Sequence, residues 1–240
     1  MSIYLNKRLE KAASLVGYFP SSTEERLSLC GGGTVVADVG CDHAYLSIYL
    51  VASGKCSHAI ASDLREGPLA SARENIEAKG MTDRIETVLT NGLDGFEKYP
   101  LTDIVICGMG GDTMMDILSR APFIKRRGVR LILQPQTAFA ELMLYLADAG
   151  FARIAERYAI DKGKSYRVIA VEYDGISREL SLCDALVGLP TFDEDRDAYR
   201  AFCQKILHTI DKKIAGATVR HADVTALSEL KRDIVRISSQ

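Results

Sequence analysis

The sequence predicts an α/β protein: a seven-stranded mixed sheet followed by a C-terminal helical hairpin. Three observations carry that reading. Short apolar, β-branched runs near 34–39, 58–62, 103–107 and 129–133 alternate with stretches of helical spacing, as parallel strands covered on both faces do. The first run ends at Asp38-Val39-Gly40, an acidic residue and a glycine turn at the carboxyl end of a strand. In open α/β sheets that crevice is where nucleotide-like ligands bind. After about Gly175 the strand pattern gives way to two long amphipathic stretches. The expected division is an α/β domain over 1–175 and a helical, coiled-coil-like domain over 176–240.

The elements follow in order. Leu5, Leu9, Ala12, Ala13 and Val16 form the apolar face of a first helix, with Arg8 on a side that periodicity assigns to solvent. Tyr18-Phe19-Pro20 ends it, Ser21 to Glu24 looks like a capped start, and Gly31-Gly32-Gly33 leads into the first strand. The turn at Gly40 enters a helix expected to begin near His43, with Asp42 and His43 able to cap it. Strand two, His58 to Ser62, is followed by Asp63. A carboxylate roughly 20 residues past the glycine turn is placed to accept both ribose hydroxyls, with a helix N-cap as the competing reading. A helix near Pro68 stops at Gly80, and Arg84 to Leu89 alternates as strand three. The loop after it offers Asn91 to a base edge and Leu93 to its face; a plain turn at Asn91-Gly92 fits equally well.

Strand four, Asp103 to Cys107, leads into Gly108-Met109-Gly110-Gly111-Asp112. Its glycines are expected to leave room for a flat base, with Met109 as a soft apolar contact and a helix from Thr113. Strand five ends in Gln134-Pro135-Gln136. After the helix from Ala138 to Ala149, Phe151 to Ile160 and Ser165 to Tyr173 form a hairpin, which puts one antiparallel strand near the edge. Beyond a short helix stopped at Pro190, Tyr199, Cys203, Ile206, Ile210 and Ile214 mark one helix over about 193–215. Leu227, Leu230, Ile234 and Ile237 mark a second, the two joining near Gly216.

Composition bounds the function. Hydrophobic residues make up 47% of the 240, enough for a sizeable core, and a net charge of -2 does not announce a nucleic-acid binder. The six cysteines (Cys30, Cys41, Cys56, Cys107, Cys183, Cys203) form no CxxC pair or Cys/His cluster, so reduced thiols and no metal are expected. The N-terminus lacks a signal-peptide core and no run is long enough to span a bilayer. A cytoplasmic protein with no membrane contact is expected, and a monomer.

The loop Asp38-x-Gly40-x-Asp42-His43-Ala44 resembles motif I of the class I S-adenosylmethionine-dependent methyltransferases, a Rossmann-like fold, with Asp42 and Ala44 at the usual second and third glycine positions. Missing glycines argue against a pyrophosphate-bearing dinucleotide. Five βα units and a strand pair fit the same seven-stranded layout. Combined with Leu5-Asn6-Lys7-Arg8-Leu9, Ile106-Cys107-Gly108-Met109-Gly110-Gly111, Leu133-Gln134-Pro135-Gln136 and Gly163-Lys164-Ser165-Tyr166, the chain resembles the bacterial tRNA (adenine-22-N1)-methyltransferases over nearly its whole length. The resemblance implies an enzyme that transfers a methyl group from S-adenosylmethionine to adenine N1 at position 22 of tRNA. It implies a cofactor site of Arg8, Asp38, Gly40, Asp42, His43, Asp63, Asn91, Gly92 and Gly108. Asp42, Gly108, Met109 and Asp112 are the catalytic candidates, the carboxylates and the Gly108 carbonyl for the charge that develops on the base, with His43 and Tyr166 to orient or stack on it. A methyltransferase-like RNA-binding scaffold and a small-molecule methyltransferase are the alternatives.

Overall fold

Strands buried on both faces must be apolar on both faces, and the central strands are. Val36, Val105 and Ile132 are buried on one side of the sheet with Leu15, Leu46, Ile48 and Leu69. Their chain neighbours Ala37, Ile104 and Leu131 are buried on the other side with Phe96, Met114, Leu142 and Leu146. This computed structural model describes residues 4–17, 33–188, 195–220 and 222–239. The strands are β1 (Val35–Val39), β2 (His58–Asp63), β3 (Ile85–Leu89), β4 (Asp103–Met109), β5 (Arg130–Pro135), β6 (Phe151–Asp161) and β7 (Lys164–Tyr173). They form one seven-stranded sheet in the order β3-β2-β1-β4-β5-β7-β6. Strands β1 to β5 are parallel, and β7 runs antiparallel to both β5 and β6. The strand order reverses between β1 and β4, the switch point at which such sheets open a crevice.

The helices are α1 (Lys7–Leu15), α2 (Tyr45–Ala52), α3 (Glu66–Ala78), α4 (Gly111–Ser119), α5 (Phe139–Asp148), α6 (Leu182–Val187), α7 (Arg196–Val219) and α8 (Thr225–Ser238). Helix α1 starts at Asn6, whose side chain accepts from the Leu9 amide at 2.9 Å. It is fixed to the sheet by a buried charge cluster. Arg130 donates to the Leu15 carbonyl at the end of α1 (2.9 Å) and pairs with Glu172 (3.0 Å) and Asp103 (3.4 Å). Arg130 is 1% exposed, so this guanidinium is tolerated only because these partners surround it.

Four expectations are corrected. Helix α2 begins at Tyr45, not near His43, because Asp42 (φ 52) and Ala44 (φ 57) are left-handed. Its N-cap is Ala44, so neither Asp42 nor His43 caps it. Strand β4 extends to Met109 through a bulge, with Gly108 (φ 85) as the extra residue, and α4 starts at Gly111. Helix α7 runs through Gly216 to Val219. The join to α8 lies beyond Arg220, where Asp223 accepts from the Thr225 amide (2.8 Å) and hydroxyl (2.6 Å). One interior glycine costs a helix only about 1 kcal/mol, which packing against α8 offsets. The turns expected at 18–24 and 31–32, the stop at 190 and a helix start at 193 lie outside the described residues.

The C-terminal helices seat on the β6–β7 side. Tyr158 of β6 meets Tyr199 (centroids 5.0 Å apart) and Phe202 (5.5 Å) edge-on or tilted. Beneath α6, buried Glu156 is paired with Arg167, and Arg153 grips Asp184 through two bonds of 2.6 and 3.1 Å. No helix among the described residues is long and apolar enough to cross a membrane.

Candidate active site

Where the strand order reverses, the carboxyl ends of β1, β2, β3 and β4 surround a cavity of about 380 Å³. That lies within the range of about 300–1,000 Å³ usual for small-ligand sites. Gly40 and Asp42 after β1 line it, as do Ser62 and Asp63 at the end of β2 with Leu64 and Arg65 beyond them. Thr90 to Gly92 and Cys107 to Met109 form its sides, and Thr113 and Ile117 of α4 close it.

Gly40 is required twice over. Its φ is 73°, and a Cβ there would stand 2.3 Å from the Met109 methyl. The amides of Gly40 and Cys41 both donate to the Ser62 carbonyl (2.8 and 2.9 Å), which folds the loop back over β2 and keeps the cavity open. Asp63 stands at the lip. One of its oxygens accepts from the Arg65 amide at 2.9 Å, and the side chain is 10% exposed. The N-cap of α3 is Arg65, so Asp63 is not that cap. Its remaining lone pairs face the cavity region and suit a vicinal diol. Beside it, the buried Ser62 hydroxyl has no hydrogen-bond partner among the described residues, the mark of a site shaped for a polar ligand.

Asn91 is exposed at the rim and Gly92 (φ 64) backs onto Ile117. Leu93 does not cover a base: it is 2% exposed and packs in the core with Phe96. Asp42, left-handed and exposed, lines the cavity. His43 lies 3.7 Å from Asp42 and 5.5 Å from the Tyr45 ring, outside the lining. Asp38 is also outside it. It is 5% exposed and accepts from the Ser47 hydroxyl at 2.7 Å, tying β1 to α2.

Burial pushes the Asp38 carboxyl up to about 6, against the opposing pull of the Ser47 hydroxyl and amide bonds. The folded protein then holds a proton that the unfolded chain releases near pH 4. The stability this group contributes is full below about pH 4 and is lost as pH rises through about 6. Asp38→Asn, which keeps the acceptor without the charge, is expected to gain on the order of 3 kcal/mol over wild type between about pH 4 and 7. Denaturant melts at both ends of that range check this; a difference that does not change with pH contradicts it.

On the far side of Gly108 the expectations change more. The Arg8 guanidinium occupies the space a Cβ at Gly108 would need, 2.7 Å from it. Arg8 donates to Gln134 at 2.7 Å and lies 5.9 Å from the Tyr166 ring centroid. Arg8 therefore does not line the cofactor cavity; it divides that cavity from the β5–β7 side. Nor do Gly110 and Gly111 wall a slot for a base. A Cβ at Gly110 would meet the Thr137 hydroxyl at 3.0 Å, and one at Gly111 the Ala138 carbonyl at 2.5 Å. These glycines let the start of α4 pack on the 136–138 backbone, where Gly111 donates to the Thr137 carbonyl (3.0 Å). Asp112 is exposed in the first turn of α4, where the helix dipole favours it, and lies outside the cavity lining. Met109 and Cys107 line the cavity, and burial pushes the Cys107 thiol up to about 12, so it stays protonated. No group of three His, Cys, Asp or Glu side chains placed to hold a metal occurs among the described residues.

The site thus gathers Gly40, Asp42, Asp63, Asn91, Gly92, Gly108 and Met109 around one cavity, and leaves Arg8, Asp38, His43 and Asp112 outside it. Sequence reasoning missed Ser62, Thr90, Thr113 and Ile117; only adjacency to Asp63, Asn91 and Asp112 pointed toward the first three.

Known proteins share this architecture. Residues 25–169 match a family described as "Methyltransferase domain". The tRNA (adenine(22)-N(1))-methyltransferase of Bacillus subtilis (strain 168) is 32% identical over 237 residues, covering 94% of this chain and 92% of that one. A Streptococcus pneumoniae protein solved in complex with S-adenosyl-L-methionine superposes with a TM-score of 0.78 at 33% identity, covering 98% of this chain and 100% of that one. The solved B. subtilis tRNA methyltransferase TrmK gives 0.71 at 27% identity, covering 99% and 97%.

Proposed function

The chain belongs to the tRNA (adenine(22)-N(1))-methyltransferase family, and from that premise we propose how its own residues perform the reaction. It is an S-adenosylmethionine-dependent enzyme that methylates N1 of an adenine in tRNA, a step of tRNA processing. We place that step in the cytoplasm, where tRNA matures alongside reduced thiols such as Cys41 and Cys107.

The residues present fit the cofactor. The partnerless Ser62 hydroxyl and the open side of Asp63 offer polar groups at a cavity of matching size, and the glycine at 40 leaves room for the Met109 methyl that lines it. Asp63 would hold the ribose hydroxyls, Asn91 the base edge, and the Gly40–Asp42 loop the amino-acid end. When bound, S-adenosylmethionine supplies an electrophilic methyl group carried on a sulfonium.

The acceptor needs little activation. Adenine N1 carries an in-plane lone pair, so no side chain has to remove a proton, and the protein's work is proximity and alignment. The target base must leave its stack to reach a cavity at the edge of the sheet. Gly108, exposed on its bulge between the cavity and Arg8, is the place for it to arrive, with Met109 as an apolar floor and Tyr166 beyond Arg8 as a stacking surface. Methylation leaves the base cationic. With Asp63 assigned to the ribose, Asp42 is the other carboxylate lining the cavity and would stabilise the developing charge; Asp112 lies outside the lining.

The observation that carries this reading is Asp63 and the open Ser62 hydroxyl at a cavity whose far wall is the Gly108 bulge. Labelled S-adenosylmethionine, offered with unmodified tRNA or with small-molecule acceptors, tests it. Label in tRNA alone supports it, label in small molecules alone overturns it, and cofactor binding without transfer favours an RNA-binding scaffold.

A further inference from the structure

Across Arg8 and Tyr166 from the cofactor cavity lies a second, larger recess of about 640 Å³, between the β6–β7 turn and α7. Its wall is largely apolar, with Ile160 and Ala201 among the lining, and two lysines stand on it. Lys164 comes from the hairpin, Lys205 and Gln204 from α7, Gln136 from the end of β5, and Tyr166 from β7. Neither lysine pairs with a carboxylate among the described residues. Yet Lys205 is held in place. Its ammonium donates to the Ser165 carbonyl at 3.2 Å and stands 5.3 and 5.5 Å from the ring centroids of Phe139 and Phe202. Both lysines line the same recess. Burial first, then the charge of Lys164, pulls the Lys205 ammonium below its ordinary range. Two ammoniums on one recess, Lys205 anchored and Lys164 exposed beside it, suit an anion with several oxygens.

The recess is joined to the methyl-transfer site through the backbone and one ring. The Gln136 backbone amide donates to the Met109 carbonyl at 2.8 Å, and Tyr166 lines the recess while facing Arg8. An RNA strand that delivers a base to Gly108 has to route its backbone past one side of Arg8, and the recess side offers two lysines, with no carboxylate among the described residues of its lining.

We propose that the recess between the β6–β7 turn and α7 binds the phosphodiester backbone of the tRNA strand beside the target adenosine, with Lys164 and Lys205 as its charged ligands and Gln136, Gln204 and Tyr166 as neutral donors. The proposal rests on the tRNA reading above. It also gives the hairpin and α7, which are separate elements of the C-terminal half, a joint task in holding substrate.

The test is direct binding of an unmodified tRNA transcript by fluorescence anisotropy across a salt series, which does not depend on catalysis. The proteins are wild type, Lys164→Gln, Lys205→Gln, the double variant and Lys205→Arg. The double variant is expected to bind about tenfold more weakly near physiological salt, and its log–log salt slope to fall by roughly 0.7–0.9 for each phosphate that is no longer neutralised. Calorimetric affinity for S-adenosylmethionine is expected to stay the same, and Lys205→Arg to keep most of the wild-type affinity for tRNA. If Lys205→Gln lowers the melting temperature, exposed Lys164→Gln alone still reads the salt slope. Wild-type binding with an unchanged slope in the variants overturns the phosphate site and leaves the enzyme reading intact. Absence of tRNA binding by the wild type overturns both.

Discussion

Asp63→Ala is expected to weaken S-adenosylmethionine binding by two to four orders of magnitude. A carboxylate that accepts from two ribose hydroxyls makes two charge-assisted hydrogen bonds, each worth about 1.5–3 kcal/mol. Their loss together corresponds to roughly 10²–10⁴ in Kd. The fold is expected to survive, because the side chain's hydrogen bond is to the Arg65 amide at the lip of the cavity and no core contact depends on it. Isothermal titration with S-adenosylhomocysteine, paired with a thermal melt, separates the two effects. A Kd within about threefold of wild type, at an unchanged melting temperature, would mean that Asp63 does not hold the ribose.

The second large effect is on stability. Arg130→Ala is expected to cost about 3–5 kcal/mol, the usual result of removing one partner from a buried ion pair. The change strips Asp103, 2% exposed, and Glu172 of a shared cation, and leaves the Leu15 carbonyl without its donor. For a chain of this length that is on the order of 10 °C in melting temperature. The damage is expected to reach the active site, since the end of α1 is anchored by Arg130 and its start carries Arg8. Glu172→Gln should cost less, because that side chain is 31% exposed. Calorimetric melts of the two variants give the ranking, and equal, small losses would show that α1 is held by its apolar face alone.

Much of this was legible in the chain. Four of the five parallel strands stand out as apolar runs, because a strand covered on both faces has few polar positions to offer, while β3, only partly buried, shows as alternation. Asp63 and Gly40 stood out for a similar reason: few residue types suit a ribose or a tight turn at a strand end. What stayed hidden was set by distant contacts. Ala44 has no intrinsic reason to be left-handed; the Ser62 carbonyl, on another strand, draws the Gly40 and Cys41 amides and forces the turn. Periodicity assigned Arg8 to solvent, whereas Gln134 and Tyr166, more than a hundred residues away, hold it against the Gly108 bulge beside the cavity. Gly110 and Gly111 looked like room for a base, and the 136–138 backbone fills that room. Gly216 looked like a helix end, but a helix supported by a partner tolerates one glycine. Lys205 gave no signal and Lys164 only a place in a hairpin motif, since their common recess exists only after the hairpin and α7 come together.

The central claim is that a methyl group reaches one nitrogen of one base. The most direct measurement incubates the protein and S-adenosylmethionine with an unmodified tRNA transcript, then combines nucleoside mass spectrometry with reverse transcription. The expected result is N1-methyladenosine, with a stop at position 22 that disappears when guanosine replaces that adenosine. RNA that stays unmethylated under saturating cofactor, or a methyl group found on another atom or position, would contradict it.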